Sequence, residues 1–313
     1  MSDPEGNAPV NAGKGAAGLR FGILCQGTVF QQWQAAAIRL LVAHGHIPAL
    51  LITDGRESAS RGPLQRLFSK ERSSMLFSFL SNRIFFPPAK KPVDLTEELH
   101  AVPGLACLVK RKGHSEYFDP TDIQAIRDHR LDFMLRFGFG IIRGDILGAA
   151  RLGVWSFHHD DPARYRGGPP GFWEIVHSDP LSGAILQRLT EKLDAGIILE
   201  RGFLRTIGHS YRASLDQLLR VSSTWPAKVA DRALAEAGDG EVLQQASCCE
   251  NPGPIFKVPG NLRTVSFLFR LAWNRLRFYR QEFLRAEFWR VGIAGCSPGA
   301  LVFGEAQASL RGI

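Results

Sequence analysis

Between Val154 and Gly196 the chain permits few arrangements. Val154-Trp155-Ser156-Phe157-His158 is an apolar run broken by polar residues at alternate positions, the pattern of a buried strand end. Period-two geometry puts Ser156 and His158 on one face and Trp155 and Phe157 on the other. Arg166-Gly167-Gly168-Pro169-Pro170 can neither continue a strand nor open a regular helix, so a shaped loop is expected there. A short helix over Phe172–His177, a turn at Ser178-Asp179-Pro180 and a strand over Gly183–Leu189 follow, and the exit loop carries Asp194-Ala195-Gly196. A Ser/His pair and an Asp delivered from neighbouring strand ends, beside glycine-rich loops, suit proton-transfer chemistry at the carboxyl edge of an open α/β sheet.

The rest of the chain has the matching rhythm. Leu19–Cys25 reads as a strand, the pattern through Trp33, Ala37, Leu40 and Leu41 as a helix, and Ile47–Thr53 as a second strand. Only Gly22 and Gly27 stand at the first turn and no G-x-G-x-x-G occurs, which disfavours a nicotinamide cofactor. Strands are expected at Leu105–Val109, Leu131–Phe137 and Ile197–Thr206, and helices at Thr121–Arg130, Ile146–Ala150 and Ser214–Ala237, the last broken by Pro226. The alternation defines an α/β class with an open, twisted, mostly parallel sheet and helices on both faces.

The central stretch resembles the folate-dependent formyltransferases, whose signature runs Asn-x-His, a loop to Arg-Gly-x-x-Pro, then Leu-Asp-x-Gly. The corresponding residues are Ser156-x-His158, Arg166-Gly167-x-x-Pro170 and Leu193-Asp194-Ala195-Gly196, and the 36-residue separation of His158 and Asp194 is the family's own. The longer match Tyr165-Arg166-Gly167-x-x-Pro170-x-x-Trp173 most resembles the branch that formylates amino sugars. The resemblance covers roughly Phe21 to Arg205 and implies a Rossmann-like fold, with 10-formyltetrahydrofolate as formyl donor and a small-molecule primary amine, of an amino sugar or sugar nucleotide, as acceptor. It makes Ser156, His158 and Asp194 catalytic, and it puts the pteridine against Phe139, Gly140, Ile141, Ile142 and Gly196. Acceptor contacts then fall to His159, Asp160, Tyr165, Arg166, Gly167, Pro170 and Trp173.

Two departures from the family pattern bear on chemistry. Ser156 stands where the family uses an Asn amide; its hydroxyl still donates, but from a shorter side chain. The loop after the histidine, usually Ser-Leu-Leu-Pro, is the polar His159-Asp160-Asp161-Pro162-Ala163. The double histidine is similar to formyltetrahydrofolate hydrolases, so transfer to water is an alternative, as is a catalytically altered domain kept for binding. A metal held by His158-His159-Asp160-Asp161 is disfavoured because neighbours on an extended chain point apart, and no metal is expected.

Composition adds the partners. A chain of 313 residues, 45% hydrophobic, has room for one large domain and an appendage, and its net charge of +8 favours anionic partners. Five cysteines without a C-x-x-C pair fit a reducing cytosol, so a cytoplasmic location is expected. Residues 1–18 read as a disordered leader, 19–245 as the catalytic domain with a basic insertion at 61–91, and 251–313 as a linker and a basic helical C-terminal appendage. The appendage carries Leu262, Val265, Phe269, Ala272, Leu276, Tyr279 and Phe283 at helical spacing, with Arg263, Arg270 and Arg277 on another face. Segments 61–91 and 261–290 are candidates for peripheral membrane contact or a homodimer contact, or simply for packing on the domain. No RNA-binding motif is present and nucleic acid is not an expected partner. Phe288–Ile293 reads as the first strand of a further unit.

Overall fold

The computed structural model describes residues 18–56, 74–191, 196–235 and 253–294, with backbone alone from 286 onward. Seven strands form the central sheet: β1 (Arg20–Cys25), β2 (Ile47–Asp54), β3 (Gly104–Cys107), β4 (Phe133–Arg136), β5 (Val154–His158), β6 (Leu181–Arg188) and β7 (Ile197–Arg205). Their order is β7-β6-β5-β4-β1-β2-β3. The five strands from β5 to β3 run parallel, while β6 and β7 add an antiparallel edge. This is the expected mostly parallel Rossmann-like α/β sheet.

The helices are α1 (Gln32–Ala43), α2 (Met75–Arg83), α3 (Pro120–Asp128), α4 (Phe172–His177), α5 (Tyr211–Ser222), α6 (Trp225–Ala235) and α7 (Asn261–Ala294). The central strands are apolar on both faces because both faces are covered. On one face Phe133 stacks on Trp155 at 3.9 Å between centroids, with Phe21, Ile38 and Val229 around them. On the other, Met134 and Val154 join Leu50, Ile52 and Ile123. After β1 the chain builds outward to β3 and then returns to place β4 on the other side of β1. The order therefore reverses between β1 and β4, and the crevice beyond their carboxyl ends is where open α/β sheets bind ligands.

Two features depart from the sequence expectations. Val109–Lys112 and Ser115–Phe118 form a hairpin, to which Ile141–Ile142 adds a short parallel strand. The Lys110-Arg111-Lys112 run hid the first of these strands, since most of it is exposed. The expected break at Pro226 is present: the stretch divides into α5 and α6, and Pro226 lies in the first turn of α6, where its missing N–H costs no intrahelical bond. The strand reading of Phe288–Ile293 is corrected, because α7 runs through to Ala294, its hydrogen bonds met within the helix where no sheet edge is offered. On α7, whose stripe the sequence left open between packing on the domain and an outward surface, Thr264 and Phe267 are buried while Leu262, Phe269 and Leu276 face outward.

The described part of the basic insertion packs on the domain. Phe77, Leu80 and Phe85 enter an aromatic cluster with Phe172, Tyr211 and Phe267, which locks α2, α4, α5 and α7 together. Residues 1–17, 57–73 and 236–252 lie outside the described residues, so the expected leader, the first half of the insertion and the end of the catalytic domain are not among them.

Candidate active site

The alternation of β5 holds. Ser156, about 1% exposed, and His158 face one side of the sheet, while Phe157 and His159 face the other and stack on each other at 5.7 Å. Ser156 and His158 line a cleft of about 150 Å³ beyond the carboxyl ends of β4 and β5, together with Arg136, Ile141, Ile142, Arg143, Gln187, Thr190, Glu191 and Gly196. A narrow crevice continues from it between His158, Arg166, Gln187 and Gly196. Asp194 lies outside the described residues, but Glu191 and Gly196, on either side of its segment, both line the cleft.

Arg136, Arg143, Gln187, Thr190 and Glu191 were not foreseen. Arg136 closes the apolar strand β4, and in parallel register its sheet neighbour is Ser156. Its Nε donates to Ser156 Oγ at 3.1 Å, and Nη1 donates to the Phe139 and Gly140 carbonyl oxygens. Among the described residues no carboxylate forms an ion pair with it, and burial draws its pKa below the usual arginine value. Arg143 donates to Ser115 Oγ at 3.1 Å and to the Glu191 carbonyl, and the Glu191 carboxylate accepts from the Gly144 N–H at 2.6 Å. An arginine ending an otherwise apolar strand was the one available signal for Arg136.

The loop expected to hold the pteridine is already tied down. Glu116, about 1% exposed, accepts from the Gly140 N–H at 2.5 Å and pairs with Arg111 and Arg56 at 2.8 and 3.2 Å. Burial raises the Glu116 carboxyl, but hydrogen bonds from Gly140, Arg111 and Arg56 outweigh it and hold its pKa below the ordinary value. Gly140 therefore has both main-chain groups engaged, and Phe139 packs on the Phe118 ring at 5.2 Å. Ile141 and Ile142 reach the cleft; Phe139 and Gly140 support it from behind.

Of the residues matched to acceptor binding, Arg166 alone borders the clefts described so far. His159 packs against the Trp33 ring at 5.1 Å and its Nε2 lies 3.0 Å from Ser222 Oγ, and burial pushes its pKa down to about 3. Asp160 is buried, accepts from the Gly171 N–H at 3.3 Å and has its pKa raised by desolvation and by Glu174. Tyr165 donates to Asp179 at 3.1 Å, and Trp173 donates to the Gly168 carbonyl at 3.2 Å and packs at a tilt on Phe256.

Residues 253–256, within the stretch read as a linker, clamp this loop. Arg166 donates from Nε to the Gly253 carbonyl at 2.6 Å and from its N–H to the Pro254 carbonyl at 3.2 Å, while the Phe256 N–H donates back to the Arg166 carbonyl at 2.6 Å. Gly167 sits at φ +100°, and a Cβ there would lie 2.1 Å from the Phe256 carbonyl oxygen. Gly168 and Pro170 shape the same bend, so Gly167 and Pro170 act through loop form rather than by lining the cleft.

A second hollow, of about 210 Å³, opens at the carboxyl end of β1 among Gln26, Gln31, Gln34, Lys90 and Phe137. Phe137 stacks on Phe157 at 6.1 Å, so an aromatic pair stands between the two recesses. Lys90 has its pKa lowered by burial. The wider hollow of about 750 Å³ between Arg127, Arg130, Arg151 and Arg188 lies at the opposite, amino edge of β4 and β5, away from His158. Among the described residues no group of His, Cys, Asp and Glu is arranged to hold a metal ion.

The class this geometry defines is a Rossmann-like α/β protein with a polar, arginine-lined cleft beyond its strand ends. Within that class, part of the chain is similar to methionyl-tRNA formyltransferases. It is 35% identical over 88 residues to methionyl-tRNA formyltransferase of Phenylobacterium zucineum, 28% of this chain and 29% of that protein. It is 32% identical over 112 residues to the same enzyme of Borrelia garinii, 36% of this chain and 35% of that protein. The chain thus spans about a third or less of the length of the curated relatives it matches. Among solved structures it aligns with glycinamide ribonucleotide transformylase 1 from Symbiobacterium toebii at 16% identity and a TM-score of 0.45, covering 74% of this chain and 94% of that one. No family model matches the chain.

Proposed function

We propose that the protein transfers the formyl group of 10-formyltetrahydrofolate to a primary amine. The observation that carries this reading is the pairing of Ser156 and His158 on one face of β5, at a cleft that also takes in Arg136 and the two ends of the Asp194 segment. In the reaction the amine nitrogen attacks the formyl carbon, a new C–N bond forms and the carbonyl oxygen becomes an oxyanion. Collapse of that intermediate breaks the bond to N10, and the proton lost by the amine passes to N10. His158 supplies a donor to the oxyanion, and Asp194 orients the imidazole and carries the proton. Ser156, shorter than the family's Asn, acts beside the Arg136 guanidinium, whose Nη2 makes no hydrogen bond among the described residues.

The acceptor in this reading is an amino sugar, carried as a nucleotide. Support comes from the Tyr165-to-Trp173 motif and from Lys90 in the recess next to the Phe137–Phe157 pair, where a phosphate would find a cation. The protein is located in the cytoplasm in this reading; no helix among the described residues is long and apolar enough to cross a membrane.

The test is to incubate the full chain with 10-formyltetrahydrofolate and a panel of amino-sugar nucleotides, reading formylated product by mass spectrometry. Formylation of one acceptor, lost in His158→Ala, is expected. Consumption of donor with no formylated amine would establish water as the acceptor, and absence of folate binding would remove the transferase reading.

A further inference from the structure

Among the described residues nothing packs on the outer face of α7. The helix docks on the domain along Thr264, Phe267, Leu271, Asn274 and Phe278: Phe267 is enclosed by Phe85, Phe172 and Tyr211, Asn274 donates to the Gly208 carbonyl, and Phe278 stacks on His209. At 100° per residue the opposite side is the apolar stripe read at helical spacing in the sequence. Leu262, Phe269, Trp273, Leu276, Tyr279 and Phe283 there are between 55% and 86% exposed. Six arginines and one glutamate lie between Asn261 and Arg285, and among the described residues only Arg285 pairs with a carboxylate, Glu282.

We infer that this face of α7 lies on a lipid bilayer bearing anionic headgroups. A strongly basic helix with a broad Leu/Phe/Trp/Tyr face, too polar to span the membrane, seats its apolar side at the headgroup boundary and its cations among the phosphates. From Leu262 to Phe283 the exposed stripe is about 33 Å long at 1.5 Å per residue. The charge pattern selects lipid over a second copy of the chain. The seven-residue spacing of Leu262, Phe269, Leu276 and Phe283 resembles a coiled-coil seam, but Trp273 and Leu284 make the apolar face wider than such a seam. Self-pairing would also set Arg275, Arg277 and Arg280 near their own copies, with Glu282 and Glu287 the two glutamates of the helix to offset them. The inference is independent of the reaction assigned to the cleft.

The test is co-sedimentation of the full chain with vesicles of phosphatidylcholine alone and of phosphatidylcholine mixed with phosphatidylglycerol. Binding is expected to the mixed vesicles, to weaken as salt rises, and to fall roughly tenfold or more in Phe269→Glu/Leu276→Glu. Both replaced side chains are exposed, so an unchanged far-ultraviolet spectrum checks the fold, and Lys112→Glu, a charge change on the distant hairpin, is expected to bind normally. Failure to bind mixed vesicles, or equal binding by the double variant, would overturn the inference. So would a dimer in analytical ultracentrifugation that Leu276→Glu dissolves without any vesicle binding by the parent chain.

Discussion

Arg136 and Ser156 are register neighbours on adjacent parallel strands, and the Arg136 Nε donates to the Ser156 hydroxyl at 3.1 Å. The short side chain at position 156 leaves room for a guanidinium at the cleft wall. Arg136 thus brings a cationic donor to the hydroxyl that stands at this position.

If that guanidinium stabilises the oxyanion, Arg136→Met lowers kcat by about 10²- to 10³-fold, the usual effect of losing one such donor. Arg136→Lys keeps the charge but not the fork of donors and recovers part of the rate. Turnover followed by mass spectrometry checks both; full activity in Arg136→Met would remove Arg136 from the chemistry.

His158→Ala and Asp194→Ala are each expected to reduce turnover by about 10²-fold or more while folate binding, measured by titration, persists. Because the two groups act as a unit, the double variant falls little below the worse single one. Additive losses would mean that they act separately.

Glu174 is fully buried, and burial pushes its pKa up from 4.5 to about 7, with Asp179 and Asp161 adding to the rise and its own backbone N–H and Arg164 opposing it. The folded chain thus holds a proton that the unfolded chain releases, so stability falls as pH rises from 4.5 through 7 and then levels off. The loss amounts to roughly 3 kcal/mol. Glu174→Gln, which cannot ionise, is expected to raise Tm at pH 8 and to flatten its pH dependence in that window, as calorimetry would show.

His159 behaves in the opposite sense. Its pKa falls from 6.5 to about 3 by burial beside His158 and Lys90, so the folded state keeps it neutral and stability is lost as pH drops below 6.5. Phenylalanine fits the stack with Phe157 and Trp33, and Ser222 retains its bond to the Leu219 carbonyl. The Tm of His159→Phe is therefore expected to decline less between pH 6.5 and 4 than that of the parent chain, and an equal decline would place the acid-sensitive group elsewhere.

Gly167→Ala puts a Cβ 2.1 Å from the Phe256 carbonyl oxygen at a φ of +100°, forcing the loop and residues 253–256 apart. A destabilisation of about 1–3 kcal/mol is expected from the backbone strain, with a fall in activity because Arg166 moves with the loop. Urea unfolding measures the first and product formation the second.

The sequence by itself determined the α/β class, the shared face of Ser156 and His158, and the shaped loop at Arg166–Pro170, because each follows from local periodicity or from glycine and proline stereochemistry. Tertiary structure alone decided three things. Strand order placed β4 beside β5 and so set Arg136 against Ser156, a pairing between residues 20 apart that no local pattern encodes. Packing turned Tyr165 and Trp173 beneath their loop toward Phe256 and away from the cleft, since an aromatic motif carries no record of which side will be covered. It also chose which side of α7 meets the domain. The helix offers two apolar sides, and the pocket made by Phe85, Phe172 and Tyr211 captured Phe267, leaving the longer stripe to the outside.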